Sequence, residues 1–151
     1  MKKARGYTLA GAMMAFALTA ASPALTAELE IVDGGIPKSL TGKPGDPEAG
    51  KKAMINRKLG NCLACHTLTS MADQPFHGEI GPTLDGVADR YEEPQLRLIV
   101  ANAKAIFDGT IMPGFLVSDG LSRVAKKFEG KSILEPANVE DIVAFLLTLK
   151  E

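Results

Sequence analysis

Both cysteines of this 151-residue chain fall within one five-residue stretch, Cys62-Leu63-Ala64-Cys65-His66. With no third cysteine there can be no disulfide framework. The core must therefore come from apolar burial, from a bound group, or from both. Cys-x-x-Cys-His is the attachment signature of a c-type haem. Two thiols add to the two vinyl groups as thioethers, and the adjacent imidazole lies under the iron as its proximal axial ligand. One covalent haem c is therefore expected, with Cys62 and Cys65 as its anchors and His66 as an iron ligand. Three other readings of the same residues stand beside this one. A redox dithiol of thioredoxin type belongs in a βαβ pattern, and none is visible. A zinc site built from Cys62, Cys65, His66 and His77 would put adjacent Cys65 and His66 in one tetrahedral shell, without the usual paired spacing. The third is a plain short disulfide.

The N-terminus sets the compartment. Lys2, Lys3 and Arg5 precede an apolar run from about Tyr7 to Ala20, and small residues follow, with cleavage sites expected after Ala24 or Ala27. This is the layout of a secretory signal peptide. The run is too short for a membrane span and is interrupted by Gly11 and Thr19. Residues 1–27 are thus expected to be removed, leaving a chain outside the cytoplasm with no membrane span. The whole sequence has 17 Lys+Arg, 18 Asp+Glu and a net charge of −1. Three of the positive charges and none of the negative ones lie in residues 1–27, so the remainder stands at −4. Such a balance gives no support to nucleic-acid binding.

Residues 28–46 carry Asp33-Gly34-Gly35, Pro37 and Gly42-Lys43-Pro44-Gly45, punctuation of an extended leader. Asp46-Pro47-Glu48 then has the N-cap, first-turn proline and acidic residue that open a helix. That helix is expected from Pro47 to Leu59, with Gly60 as its stop. Glu93-Pro94 opens another, whose apolar face runs through Leu96, Ile99, Val100, Ala103, Ile106 and Phe107. A short helix is expected near Gly120–Lys127 and a last one over Pro136–Leu149, with Val139, Ile142, Val143, Leu146 and Leu149 facing inward. No stretch alternates like a β-strand for more than a few residues.

A second axial ligand must come from the other face of the porphyrin. Met54 lies on the first helix and reads as core. Met71 follows His66 by five residues, too short a span to round the haem edge at about 3.3–3.6 Å per residue. Met112 lies 46 residues after His66 in an interhelical loop. Pro113 stiffens that loop, and Gly109 and Gly114 allow close approach to a flat group. Met112 is therefore expected as the sixth ligand. His77 is its rival and would give a bis-histidine iron. A thioether raises the reduction potential relative to a second imidazole, which suits an electron acceptor. An iron-bound imidazole usually donates its free N–H to a carbonyl. Pro82, in Gly81-Pro82-Thr83-Leu84-Asp85-Gly86-Val87, is well placed by sequence to supply it.

The order of helix, Cys-x-x-Cys-His, Gly-Pro-x-Leu-x-Gly loop, helix, Met-Pro loop and C-terminal helix resembles the class I cytochrome c fold. It implies an all-α domain over 47–151 wrapped around one covalent haem, its first and last helices crossing at Gly50 and Phe145. A narrower resemblance covers the chain after the signal peptide. Val32-Asp33-Gly34-Gly35-Ile36-Pro37, Leu40-Thr41-Gly42-Lys43-Pro44-Gly45-Asp46, Gly60-Asn61 before the motif, Pro75-Phe76-His77-Gly78 and Ile111-Met112-Pro113 are similar to SoxX, the monohaem cytochromes of the sulfur-oxidation pathway. So are Arg123-Val124-Ala125, Gly130-Lys131-Ser132-Ile133-Leu134 and Val139–Leu146. Gly114 departs from it, since a bulkier residue is expected after Met-Pro.

This resemblance implies a periplasmic electron-transfer subunit of an L-cysteine S-thiosulfotransferase. Such a subunit pairs with a larger cytochrome, SoxA. The complex couples thiosulfate oxidatively to a cysteine on a SoxYZ-like carrier, and the electrons pass on to a soluble cytochrome c. The sulfur chemistry is expected on the SoxA-like partner. Both cysteines here are taken by haem, so no thiol is left as a sulfur nucleophile and no catalytic residue is expected. Phe115, Leu116 and Val117 are placed either in an apolar partner patch or in the core. Two other functions remain open: a free-standing soluble electron shuttle, and a haem-based ligand sensor, which would need an open or easily displaced sixth site.

Overall fold

The computed structural model describes residues 29–151. The expected signal peptide lies outside them. Four α-helices follow in chain order: α1 (Pro47–Ile55), α2 (Val87–Arg90), α3 (Glu93–Asn102) and α4 (Pro136–Leu146), with short 3₁₀ turns between them. Among the described residues the only extended pairing is a single bridge between Val32 and Gly35. No helix among them is long and apolar enough to cross a membrane.

Each main helix starts where its sequence signals it. The Asp46 carboxylate accepts from the Glu48 and Ala49 N–H groups at 2.9 and 3.4 Å and Pro47 takes the first turn of α1. Helices α3 and α4 open with capping boxes, Glu92 with Gln95 and Glu135 with Asn138, which satisfy orphan N–H groups reciprocally.

All three end earlier than their apolar periodicity suggests, each for a local reason. Helix α1 stops at Ile55 rather than Leu59, because Asn56 turns out into extended backbone. Its side chain accepts from Lys58 N at 2.9 Å and its carbonyl from Leu59 N at 2.9 Å. Asparagine competes with the helix in this way. Helix α3 stops at Asn102 rather than Phe107. The Ala101 carbonyl that a further turn would use accepts instead from Leu116 N at 2.9 Å, and Ile106 and Phe107 are left exposed. Helix α4 stops at Leu146 rather than Leu149. The Phe145 carbonyl takes both the Thr148 hydroxyl at 2.6 Å and the Thr148 N–H at 2.9 Å. Near 120–127 only one 3₁₀ turn forms, Lys126–Phe128, because Gly120 and Arg123 both adopt positive φ.

The core is one cluster, with Met54, Leu68, Met71, Leu96, Leu98, Leu134, Val139, Ile142 and Val143 fully buried. Helices α1 and α4 cross backbone to backbone. A Cβ on Gly50 would run into the carbonyl of Asp141, with Ile142 N close behind. Phe145 follows one turn further along α4 and is buried.

The leader is built into this core. Ile36 is buried, its N–H donating to the Pro94 carbonyl at 2.9 Å. Its carbonyl accepts from Arg97 Nη1 at 2.8 Å. Arg97 and Glu140, only 2% and 4% exposed, pair at 2.7 Å, and Glu93 binds the same guanidinium. Burial opposes the Arg97 charge, but the bonds to Glu140 and Glu93 outweigh it and raise its pKa.

Candidate functional site

Cys62 and Cys65 stand three residues apart on a tight turn. Asn61 enters it in left-handed conformation, residues 62–64 form a 3₁₀ turn, and the Cys62 carbonyl accepts from Cys65 N and His66 N at 3.1 and 3.0 Å. In a 3₁₀ turn residues i and i+3 eclipse, so both thiols project from one side. Each is half-buried and joins no disulfide. Burial pushes the Cys62 thiol up to about 12, the opposite of the depressed thiolate a redox dithiol requires.

His66 is held on two sides. Its Nδ1 lies 2.6 Å from the Pro82 carbonyl. A carbonyl only accepts, so Nδ1 carries the proton and Nε2 keeps its lone pair. Gly81 backs the ring so closely that a Cβ there would overlap the imidazole. Gly81 N also donates to the Cys65 carbonyl at 2.8 Å.

Met112 sits half-buried at the edge of the core cluster, in a loop anchored on both sides. Its N–H donates to Thr110 Oγ1 at 3.2 Å. The Phe115 carbonyl takes Ile133 N and Leu134 N at 2.8 and 2.9 Å. A Cβ on Gly114 would lie 2.6 Å from Val117 Cγ2, so the bulkier residue expected there would require the Val117 side chain to shift. Behind this loop, Asn102 Oδ1 is buried without a partner.

His77 is committed elsewhere. Its Nδ1 accepts from Leu68 N at 3.3 Å and its Nε2 donates to the Met71 carbonyl at 3.0 Å. Neither nitrogen is free for iron or zinc, and among the described residues no group of three or more His, Cys, Asp or Glu could hold a metal ion.

Phe115 lies in the core, with Leu116 packed against it. The three most exposed large apolar side chains among the described residues lie in the loops next to the site residues instead: Phe76 at 76%, Ile111 at 73% and Ile80 at 68%. Phe76 and Ile80 belong to the loop that crosses the cysteine turn, where Gly78 N donates to the Leu63 carbonyl at 2.8 Å. Ile111 precedes Met112.

Two thiols on one side of a turn, an imidazole with its outer nitrogen committed and its inner one free, and a glycine pressed against the ring fit a covalently attached porphyrin. Sequence reasoning missed Asp85 and Arg90. Asp85 accepts from Thr69 and Thr83, and Arg90 donates to the Thr83 and Asp85 carbonyls at 2.7 and 2.6 Å. The only local signal is the Thr83-x-Asp85 pattern, and its partner Thr69 lies 16 residues from Asp85.

The cytochrome c family profile matches residues 47–150. A chain in the crystal structure of SoxXA from P. pantotrophus is 49% identical, with a TM-score of 0.76, over 82% of this chain and 96% of that one. No curated protein matches the chain in sequence.

Proposed function

The chain belongs to the cytochrome c family as a SoxX-type subunit with covalently bound haem c, and from that premise we propose that it is the periplasmic electron acceptor of a SoxAX-type complex. The complex conjugates thiosulfate to a carrier cysteine. The 49% identity to a SoxXA chain across nearly all of that chain carries this reading. Residues 1–27 are the export signal, 28–46 the leader, and 47–151 the haem domain.

Conjugation forms a new S–S bond between thiosulfate and the carrier thiol and releases two electrons and one proton. When bound, the haem supplies a one-electron iron centre that can take those electrons in turn. Cys62 and Cys65 hold the porphyrin by thioether bonds, so it stays in place in both oxidation states. His66 Nε2 would ligate the iron, and the Pro82 carbonyl at 2.6 Å fixes the ring and its tautomer. Met112 would supply a thioether ligand to the iron, which would raise the potential. No cysteine is left over to attack sulfur, so the sulfur chemistry falls to the SoxA-like partner. A soluble cytochrome c then takes the electrons onward.

The test is gel filtration at high salt of the native protein from thiosulfate-grown cells, with mass spectrometry of co-eluting chains. A larger c-type cytochrome at one-to-one stoichiometry is expected. A lone haem protein would leave the free-standing electron shuttle as the function.

A further inference from the structure

The chain after the haem motif and the Gly81–Asp85 loop run alongside each other in parallel. Gly81 N donates to the Cys65 carbonyl at 2.8 Å and Leu84 N to the Thr67 carbonyl at 2.9 Å. Between them sits the His66–Pro82 bond. Proline has no N–H, so Pro82 cannot anchor its own peptide. Its carbonyl is held only by what its neighbours bond to.

On the far side the loop is held by the Leu84 bond, by Thr83 Oγ1 to the Thr67 carbonyl at 3.3 Å, and by one carboxylate. Asp85 accepts from Thr69 N at 3.0 Å, from Thr69 Oγ1 at 2.8 Å and from Thr83 Oγ1 at 2.9 Å. Arg90 bonds the Thr83 and Asp85 carbonyls, which stiffens residues 83–85. Thr69 lies three residues after His66, and Thr83 is bonded to Pro82. Asp85 therefore closes a ring of bonds around the His66–Pro82 contact.

We propose that Asp85 is a positioning residue, which through Thr69 and Thr83 sets how firmly the Pro82 carbonyl accepts from His66 and so tunes the reduction potential. This rests on His66 being the iron ligand. A short Nδ1–H···O bond gives the imidazole partial anionic character, which favours the oxidised iron. Loosening the loop weakens that bond, favours the reduced iron and raises the potential. Asparagine at 85 keeps one acceptor oxygen but loses the charge and the second acceptor.

The experiment compares parent, Asp85→Asn and Thr69→Val holoproteins by redox titration and by NMR of the His66 ring. Asp85→Asn is expected to raise the potential by up to about 59 mV, a tenfold change in a one-electron equilibrium. The His66 Nδ1 proton should move upfield and exchange faster, with the methionine–iron charge-transfer band intact. Thr69→Val, which removes one of the three bonds, should shift both readouts the same way by less. It also tests the proposal if Asp85→Asn does not fold. An unchanged potential and ring proton in folded variants overturns the proposal. Absence of hyperfine-shifted His66 signals in the parent also overturns it, and separately removes the ligand assignment beneath it.

Discussion

Arg97 on α3 and Glu140 on α4 form a buried ion pair at 2.7 Å, and the leader closes over it through the Ile36 carbonyl and the Leu40 N–H. The charges join three segments that share no sequence neighbourhood. Removing one partner leaves the other charge buried, which typically costs about 3–5 kcal/mol. Arg97→Met should lose that much in urea denaturation of the holoprotein. Arg97→Met with Glu140→Leu should recover part of it. The double variant should still fall short of the parent, because Ile36 O and Leu40 N lose their partners.

Gly50→Ala separates propensity from packing. Alanine is favoured over glycine in a helix by about 1 kcal/mol, so a free α1 would gain. Here the added methyl meets the Asp141 carbonyl, and overpacking costs about 1–3 kcal/mol. A lowered melting temperature is expected; a raised one would mean that α1 and α4 do not cross this closely.

His77→Ala should leave the iron spectrum unchanged and lower stability by about 1–3 kcal/mol, the cost of leaving the Leu68 N–H without a partner while the Met71 carbonyl keeps only Gln74 N. Loss of the low-spin spectrum would instead make His77 a ligand.

Met112→Ala opens the sixth position. The reduced variant should bind carbon monoxide at neutral pH and the reduced parent should not. Ready binding by the parent would point to a ligand sensor.

Acid should abolish the contribution of Asp85. The Thr69 hydroxyl bond lowers its pKa most; burial opposes this, and Thr83, the Thr69 N–H and Arg90 lower it further. A carboxyl with a folded pKa below its unfolded one stabilises above the unfolded value, about 3.9. That contribution is lost as pH falls through the folded value. Asp85→Asn should therefore be less stable than the parent at neutral pH, and the gap should close on acidification. Urea midpoints at several pH values check it; a gap constant with pH would assign the effect to shape, not charge.

The chemistry of this chain is written in short local motifs. Cys62 to His66 is one turn, Gly81-Pro82 is a loop whose carbonyl meets His66 as its sequence suggests, and Met112-Pro113 is legible as a loop without knowing the fold. Helix starts were equally legible, since Asp46, Glu92 and Glu135 each act within three residues. Helix ends were not. The Ala101 carbonyl is taken by Leu116, a partner that no 3.6-residue periodicity reveals. Arg97 and Glu140 were hidden for a related reason. Each reads as the polar face of an amphipathic helix, and only their pairing across 43 residues makes them core.

The leader's anchorage has a temporal side. Leu40 binds Glu140, 100 residues further on, so a chain that emerges N-terminus first presents its leader long before the docking place exists. The cysteine turn, made of bonds between near neighbours, needs no such wait. The local bonds of the cysteine turn can therefore form before the leader's long-range contact does.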